Sequence, residues 1–145
     1  MRKGMILAVA LTGIAGVAFA HTGVKDKVVM KRMELMKSIG ENTKTLGQMA
    51  KGEKPFDAEA ARRAALEIAN YAKTMPDHFE VKAEDPKDEA KPVIWDQFDD
   101  FTAKSLALEA TARRFAGSVE AKADLPGGLR DIGAACKVCH EVYKE

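Results

Sequence analysis

Two cysteines and a histidine lie within five residues of each other near the end of the chain, in the stretch GAACKVCHEVYKE. Cys136 and Cys139 are the only cysteines of the sequence, and His140 follows directly. A structural zinc site needs four protein ligands, and the sequence offers no second ligand pair. A dithiol redox centre places Cys-x-x-Cys at a helix N-terminus, whereas this motif comes at the far end of a predicted helix.

Covalent haem attachment fits this spacing best. Two cysteines three residues apart lie on one helical face and can form thioethers with the two haem vinyl groups, while the next residue can bind the iron. We therefore expect one haem c per chain, with Cys136 and Cys139 as its covalent anchors and His140 as one axial iron ligand. A plain disulfide between the two cysteines is the alternative, and such a protein would be colourless.

The first twenty residues have the pattern of a secretory signal peptide. Arg2 and Lys3 precede an apolar run that ends in the small-x-small sequence Ala18-Phe19-Ala20. The run is shorter than the ~20 residues that span a bilayer, and no cysteine marks a lipid-anchor cleavage site. We predict a signal peptide over residues 1–20, cleaved after Ala20, and a domain over residues 21–145 in the periplasm. That compartment is oxidising, so paired cysteines there are normally bonded or covalently used.

The charge balance gives no support to nucleic-acid binding. The chain has 23 basic and 22 acidic side chains, and the predicted signal peptide removes two of the basic ones. The mature chain then carries 21 basic and 22 acidic side chains, a formal charge of −1. Binding to a phosphate backbone depends on a basic surface, which this composition lacks.

The sequence predicts four helices and little strand. Ala, Lys, Glu, Met and Leu are abundant, and apolar residues recur at helical spacing over residues 24–51, 57–74, 92–123 and 129–143. Gly52 and Pro55 end the first segment, Asp57 caps the second and Pro76 ends it. We interpret residues 77–92 as a loop and DLPGGL as a turn. These elements predict an all-α, antiparallel four-helix bundle with haem held inside near one end.

Each helix has a predicted inward stripe. These are Met33, Met36, Thr43, Leu46 and Ala50 in the first; Ala61, Ala65, Ile68 and Ala72 in the second; Trp95, Phe98, Thr102, Leu108, Ala112, Phe115 and Val119 in the third; and Leu129, Ile132, Cys136, Cys139 and Tyr143 in the fourth. The first helix also carries Met30 and Met49. Methionine fills irregular cores, but its thioether also binds haem iron. The residues alone leave these two roles open.

The chain resembles the class II c-type cytochromes, the family of cytochrome c prime and the low-spin cytochrome c-556. The resemblance covers essentially the whole mature chain. It rests on GAACKVCHEVY near the C-terminus, on KGEKPFD between the first two helices and on KPVIW at the start of the third. The haem motif is common to all c-type classes, so its position and the KGEKPFD link carry the resemblance to this class.

The resemblance implies a second iron ligand on the first helix, four residues after an arginine near the haem propionates. Counting back from KGEKPFD gives Arg32 and Met36, with Met33 as the second choice for the ligand. Methionine there is similar to cytochrome c-556 and implies a low-spin electron carrier. The alternative is a five-coordinate cytochrome c prime that binds nitric oxide or carbon monoxide. Lys144 stands where the family commonly has an arginine, which weakens the gas-binding alternative.

The remaining candidates are weaker. His78 lies in the polar stretch MPDHFE, where we expect it to be exposed. Phe79, Trp95 and Phe98 either line the haem edge or belong to the core. No distal His–Arg pair is evident, so we predict that the protein is not an enzyme. We expect redox proteins as partners and a monomer or homodimer.

Overall fold

A computed structural model of the chain describes residues 23–145. Long helices of this part are α1 (Lys27–Lys51), α2 (Ala58–Phe79), α4 (Phe98–Ser118) and α5 (Leu125–Tyr143), and α3 (Val93–Asp96) is a single turn before α4. A 3₁₀ turn, Lys122–Asp124, leads into α5. The four long helices pack as an antiparallel bundle, because short links join α1 to α2 and α4 to α5. The predicted fold is confirmed, while the predicted signal peptide lies outside the described residues.

Side-chain caps determine where α1 and α2 begin. Asp26 accepts hydrogen bonds from the backbone N–H groups of Val28 and Val29 at 2.7 and 3.0 Å, so α1 begins at Lys27 rather than at residue 24. Gly52 ends α1 in the left-handed conformation, with φ of 78°. Asp57 caps α2 as predicted, accepting from the Ala60 N–H at 2.9 Å.

The prediction that Pro76 ends α2 is wrong, because the helix continues through it to Phe79. Proline has no N–H, so a proline inside a helix leaves the carbonyl four residues earlier without its helical partner. That carbonyl belongs to Ala72, and the buried hydroxyl of Ser105 on α4 donates to it at 2.6 Å. A neighbouring helix thus supplies the bond that the proline removes.

The predicted third helix, residues 92–123, is two helices. Gln97, with φ of −126° and ψ of 39°, breaks it between α3 and α4. The main helix ends at Ser118, where Val119 turns to extended backbone.

The predicted turn DLPGGL is mostly the first turn of α5, which begins at Leu125 rather than at residue 129. Pro126 fits there because the first turn of a helix has no intrahelical N–H bond to lose. Gly128 lies close against Phe115, since a Cβ on it would fall 2.2 Å from the ring. Across residues 23–145, no helix combines the length and apolar character that crossing a membrane requires.

The core contains many alanines. The stripe predicted for α2 is confirmed, because Ala61, Ala65, Ile68 and Ala72 are all fully buried. The stripe predicted for α1 faces inward but is incomplete. Leu46 is buried, Met36 and Ala50 are partly buried against the core, and Met33, Met36 and Thr43 line the cavities described next. The prediction missed the other buried residues of this helix, which are Val29, Arg32, Leu35, Ile39 and Met49.

Candidate haem site

Two cavities lie between α1 and α5, with volumes of about 190 and 260 Å³. Both are lined by Met36 of α1 and by Cys139 and His140 of α5. The first extends towards the loop after α2, and the second extends along α4. The predicted ligands of the two helices therefore border one continuous region of the bundle.

The cysteines lie on the inner side of α5. Both side chains are partly buried, and Cys136 lines the second cavity. Burial raises the pKa of both thiols, that of Cys139 to about 11, and Lys104 opposes this rise at Cys139. The described residues contain no group of three or more His, Cys, Asp or Glu side chains that could hold a metal ion.

His140 lies in the last turn of α5, borders both cavities and is exposed to solvent. Its pKa is lowered, first by burial and then by the neighbouring Lys144 ammonium, and Glu89 acts in the opposite direction. This environment favours the neutral imidazole, which is the form that binds a metal ion. The side chain is thus chemically suited to the predicted role of iron ligand.

The methionines of α1 have different environments. Met36 lines both cavities, Met33 lines the first, and Met49 belongs to the core. Met75 of α2 lines the second cavity, and sequence analysis missed it. Met36 is therefore the α1 methionine that shares both cavities with His140. Its assignment as iron ligand stays a prediction.

Arg32 is almost fully buried, with 2 % of its surface exposed, and also lines the first cavity. Its guanidinium pairs with the Asp88 carboxylate at 3.2 Å. The propionate contact that the family resemblance implies for Arg32 stays a prediction, and Asp88 was not among the predicted residues. His78, expected to be exposed, is partly buried in the last turn of α2, and its carbonyl accepts a hydrogen bond from Arg32 at 3.1 Å.

A second cluster of polar side chains lies near Cys139, between α4 and α5, and consists of Tyr143, Asp100 and Lys104. The Tyr143 hydroxyl donates a hydrogen bond to the Asp100 carboxylate. Lys104, which lines the second cavity, also binds this carboxylate at 2.7 Å. Burial, together with Asp100, raises the pKa of Tyr143 to about 12. The predicted inward position of Tyr143 is confirmed.

The aromatic candidates divide between the cavity and the core. Phe79 lines the first cavity and packs on Phe101 with ring centroids 4.8 Å apart. Phe98 is stacked on Phe101 at 6.0 Å, and Trp95 donates its indole N–H to the Phe79 carbonyl at 2.8 Å. The buried aromatic residue at the start of α4 is Phe101, which was not predicted, whereas the predicted Phe98 is only partly buried.

The space and its donors fit a covalently held haem. The walls are mainly apolar, two thiols lie on one side with an imidazole, and a thioether lies on the facing helix. Two thiols that can form thioethers and one imidazole ligand are what a c-type haem requires, and a second axial donor is present in its six-coordinate forms. The charged Arg32 and Lys104 border the same space.

Comparisons with known proteins agree with this chemistry. The family model described as Cytochrome C' matches residues 27–144. A cytochrome c-556 from Agrobacterium tumefaciens (strain apple 185) is 41% identical over 118 residues, 78% of this chain and 90% of its own. A cytochrome c-554 from Cereibacter sphaeroides is 35% identical over 151 residues, covering 100% and 99%. A structure of oxidised R. palustris cytochrome c556 has a TM-score of 0.75 at 31% identity, covering 83% of this chain and 98% of its own. With its cavities lined by the CKVCH motif, the chain belongs to the cytochrome c' family and binds covalently attached haem c.

Proposed function

We propose that this protein is a periplasmic electron carrier whose haem iron is six-coordinate and low-spin. Cys136 and Cys139 form the thioethers, His140 is the proximal ligand and Met36 is the distal ligand. The observation that carries the proposal is that Met36 and His140, on facing helices, line both cavities. Relatives named cytochrome c-556 support the same assignment.

Bound haem supplies a one-electron couple between ferric and ferrous iron. The protein determines its properties through ligands and surroundings. A neutral thioether from Met36 favours the ferrous state and raises the potential, and the apolar walls disfavour the extra charge of the ferric state. Burial lowers the pKa of His140, which favours the neutral imidazole that binds a metal ion. This arrangement leaves the distal position occupied, which suits electron transfer with redox proteins rather than catalysis.

The alternative in the same family is a five-coordinate iron that binds nitric oxide or carbon monoxide. The two proposals differ in whether the Met36 sulfur is bound. The optical spectrum of the purified holoprotein, oxidised, reduced and then exposed to carbon monoxide, distinguishes them. We expect a low-spin ferric spectrum with a sulfur-to-iron charge-transfer band, and a ferrous spectrum that carbon monoxide leaves unchanged.

Variants of two α1 methionines test the assignment of the ligand. Met36→Ala removes the thioether, so we expect high-spin iron that binds carbon monoxide. Met33→Ala is the matched control, because Met33 lies on the same helix but lines only the first cavity. Its spectrum is expected to stay low-spin. Loss of the charge-transfer band in Met33→Ala alone would assign the ligand to Met33, and a high-spin wild-type protein would favour the gas-binding alternative.

A further inference from the structure

The Arg32 guanidinium is enclosed by residues from one continuous stretch of chain that runs from the end of α2 into α3. These residues form what we call the guanidinium clamp: His78, Phe79, Val81, Asp88 and Trp95. Nε donates to the His78 carbonyl at 3.1 Å, Nη1 donates to Asp88 at 3.2 Å, and Nη2 donates to the Val81 carbonyl. The guanidinium carbon lies 4.8 and 5.0 Å from the ring centroids of Phe79 and Trp95. All three guanidinium nitrogens thus have partners within this segment.

The clamp holds a buried charge. Burial lowers the pKa of Arg32, while Asp88 and Asp26 raise it. A buried cation is tolerated when a counter-ion and hydrogen bonds compensate for its lost hydration, and removal of the counter-ion is strongly unfavourable. Arginine suits this position because its planar group can stack on rings and donate in several directions at once. The position of Arg32 is therefore tightly coupled to that of Asp88.

Arg32 lies one helical turn before Met36, on a neighbouring part of the same helix face. The link to α2 is at the other end of α1, after Lys51. The end that carries Met36 is attached elsewhere, by the clamp and by Asp85, which accepts from the N–H groups of Lys25 and Asp26 at 2.8 and 3.0 Å. The segment after α2 therefore fixes the position of this half of α1.

The same segment is attached to the end of α5. The Lys91 N–H donates to the Tyr143 carbonyl at 2.9 Å, and the Glu145 N–H donates to the Glu89 carbonyl at 2.9 Å. The Lys144 ammonium also pairs with the Glu89 carboxylate at 3.0 Å. One short piece of chain, residues 78–91, thus connects the helix of Met36 to the helix of His140.

We propose that residues 78–91 act as a spacer that fixes the distance between Met36 and His140, with Arg32 and Asp88 as positioning residues for the methionine ligand. The proposal rests on the proposed function, since it concerns the bond between Met36 and iron. Loosening the clamp would let this half of α1 move away from α5 while the haem stays covalently attached. The methionine would then leave the iron more often, and an external ligand would bind more tightly.

The experiment uses the ferrous holoprotein and measures its affinity for carbon monoxide, together with the ferric sulfur-to-iron band. Asp88→Asn removes the counter-ion, and Arg32→Lys keeps the charge but loses the planar donor group. We expect each to raise the carbon monoxide affinity at least about tenfold and to weaken the band, because affinity rises in proportion to the methionine-free fraction. Glu109→Gln is the matched control: it removes the carboxylate partner of Arg113, an exposed ion pair within α4. Its affinity and spectrum are expected to match those of the wild type.

Asp88→Asn also separates the clamp from a role of Arg32 at a propionate alone. It leaves the guanidinium in place, so a propionate-only role predicts an unchanged band. Trp95→Phe is a milder variant in case the buried pair is needed for folding. It keeps a ring over Arg32 but removes the N–H that binds the Phe79 carbonyl, and we expect an increase of about threefold.

The outcomes of the two proposals differ. A wild-type protein with a sulfur-to-iron band whose Asp88→Asn and Trp95→Phe variants keep wild-type carbon monoxide affinity would overturn the spacer and leave the proposed function standing. A wild-type protein without that band would overturn the proposed function and the spacer with it. An increase in both variants, with Glu109→Gln unchanged, supports both.

Discussion

The bond from Ser105 to the Ala72 carbonyl gives a quantitative prediction about how α2 tolerates its internal proline. In Ser105→Ala the carbonyl loses the one partner that replaces the missing N–H of Pro76. Both Ala72 and Ser105 are buried, so water does not readily take over this bond. A buried polar group left without a partner costs about 1–3 kcal/mol, and we expect Ser105→Ala to lower the free energy of unfolding by ~2 kcal/mol.

The same change in a Pro76→Ala background tests the cause. Alanine at position 76 restores the N–H, so the Ala72 carbonyl keeps a helical partner when the hydroxyl is removed. We expect Ser105→Ala to cost no more than ~1 kcal/mol there, which gives a coupling free energy of about 1–2 kcal/mol between the two positions. Ser38→Ala is the matched control. Its hydroxyl donates to the Glu34 carbonyl at 3.0 Å, but that carbonyl lies in an uninterrupted helix, so we expect a change within about 0.5 kcal/mol.

Urea unfolding of the ferric holoproteins, followed by the far-ultraviolet circular dichroism of the helices, provides the measurement. With a slope of roughly 2 kcal/mol per molar urea, the single variant should shift the midpoint by about 1 M. Equal costs of Ser105→Ala in the presence and absence of Pro76 would refute the reasoning. The helix would then be tolerating its proline without the help of α4.

Two further predictions concern α5. Gly128→Ala would place a Cβ 2.2 Å from the Phe115 ring and should lower the free energy of unfolding by about 1–3 kcal/mol in the same urea assay. Gly127→Ala is the control, because a Cβ there meets no atom within 4 Å, and it should leave the free energy of unfolding unchanged. Equal effects of the two variants would contradict the close packing of Gly128 on Phe115. Tyr143 has a pKa raised from 10 to about 12, so its hydroxyl favours the folded state up to pH 10, and this contribution is lost between pH 10 and about 12. Tyr143→Phe should remove that part of the pH dependence, measured as the difference in urea midpoint from the wild type, and an unchanged dependence would exclude Tyr143 as its source.

The features that could be predicted from the sequence are those with a local cause. Covalent anchors and an iron ligand within five residues need only one helix to bring them together, and the family match agrees with the cofactor inferred from them. The stripe of α2 is equally local, because this helix buries a single face of small residues. The cap at Asp57 is another such case, since its carboxylate acts on the helix that follows it.

The failures have a non-local cause. Pro76 ends a helix unless another element supplies the lost bond, and Ser105 is far away in sequence. The first helix has two inward surfaces, one against the bundle core and one against the cavities, so a single apolar stripe describes it incompletely. Asp88 is one of several acidic residues in the loop after α2, and no spacing distinguishes it as the partner of Arg32.

The packing of the bundle differs between the α2–α4 contact and the space between α1 and α5. Helix α2 packs closely on α4 through fully buried alanines such as Ala69 and Ala112, and this contact provides much of the core. Helices α1 and α5 meet much less, because the two cavities lie between them. Attachment through residues 78–91 joins α1 to α5 where their direct contact is small, which is why we assign it the role of a spacer between Met36 and His140. Substitutions in the α2–α4 contact should lower the free energy of unfolding, while substitutions in the guanidinium clamp should change the iron coordination first.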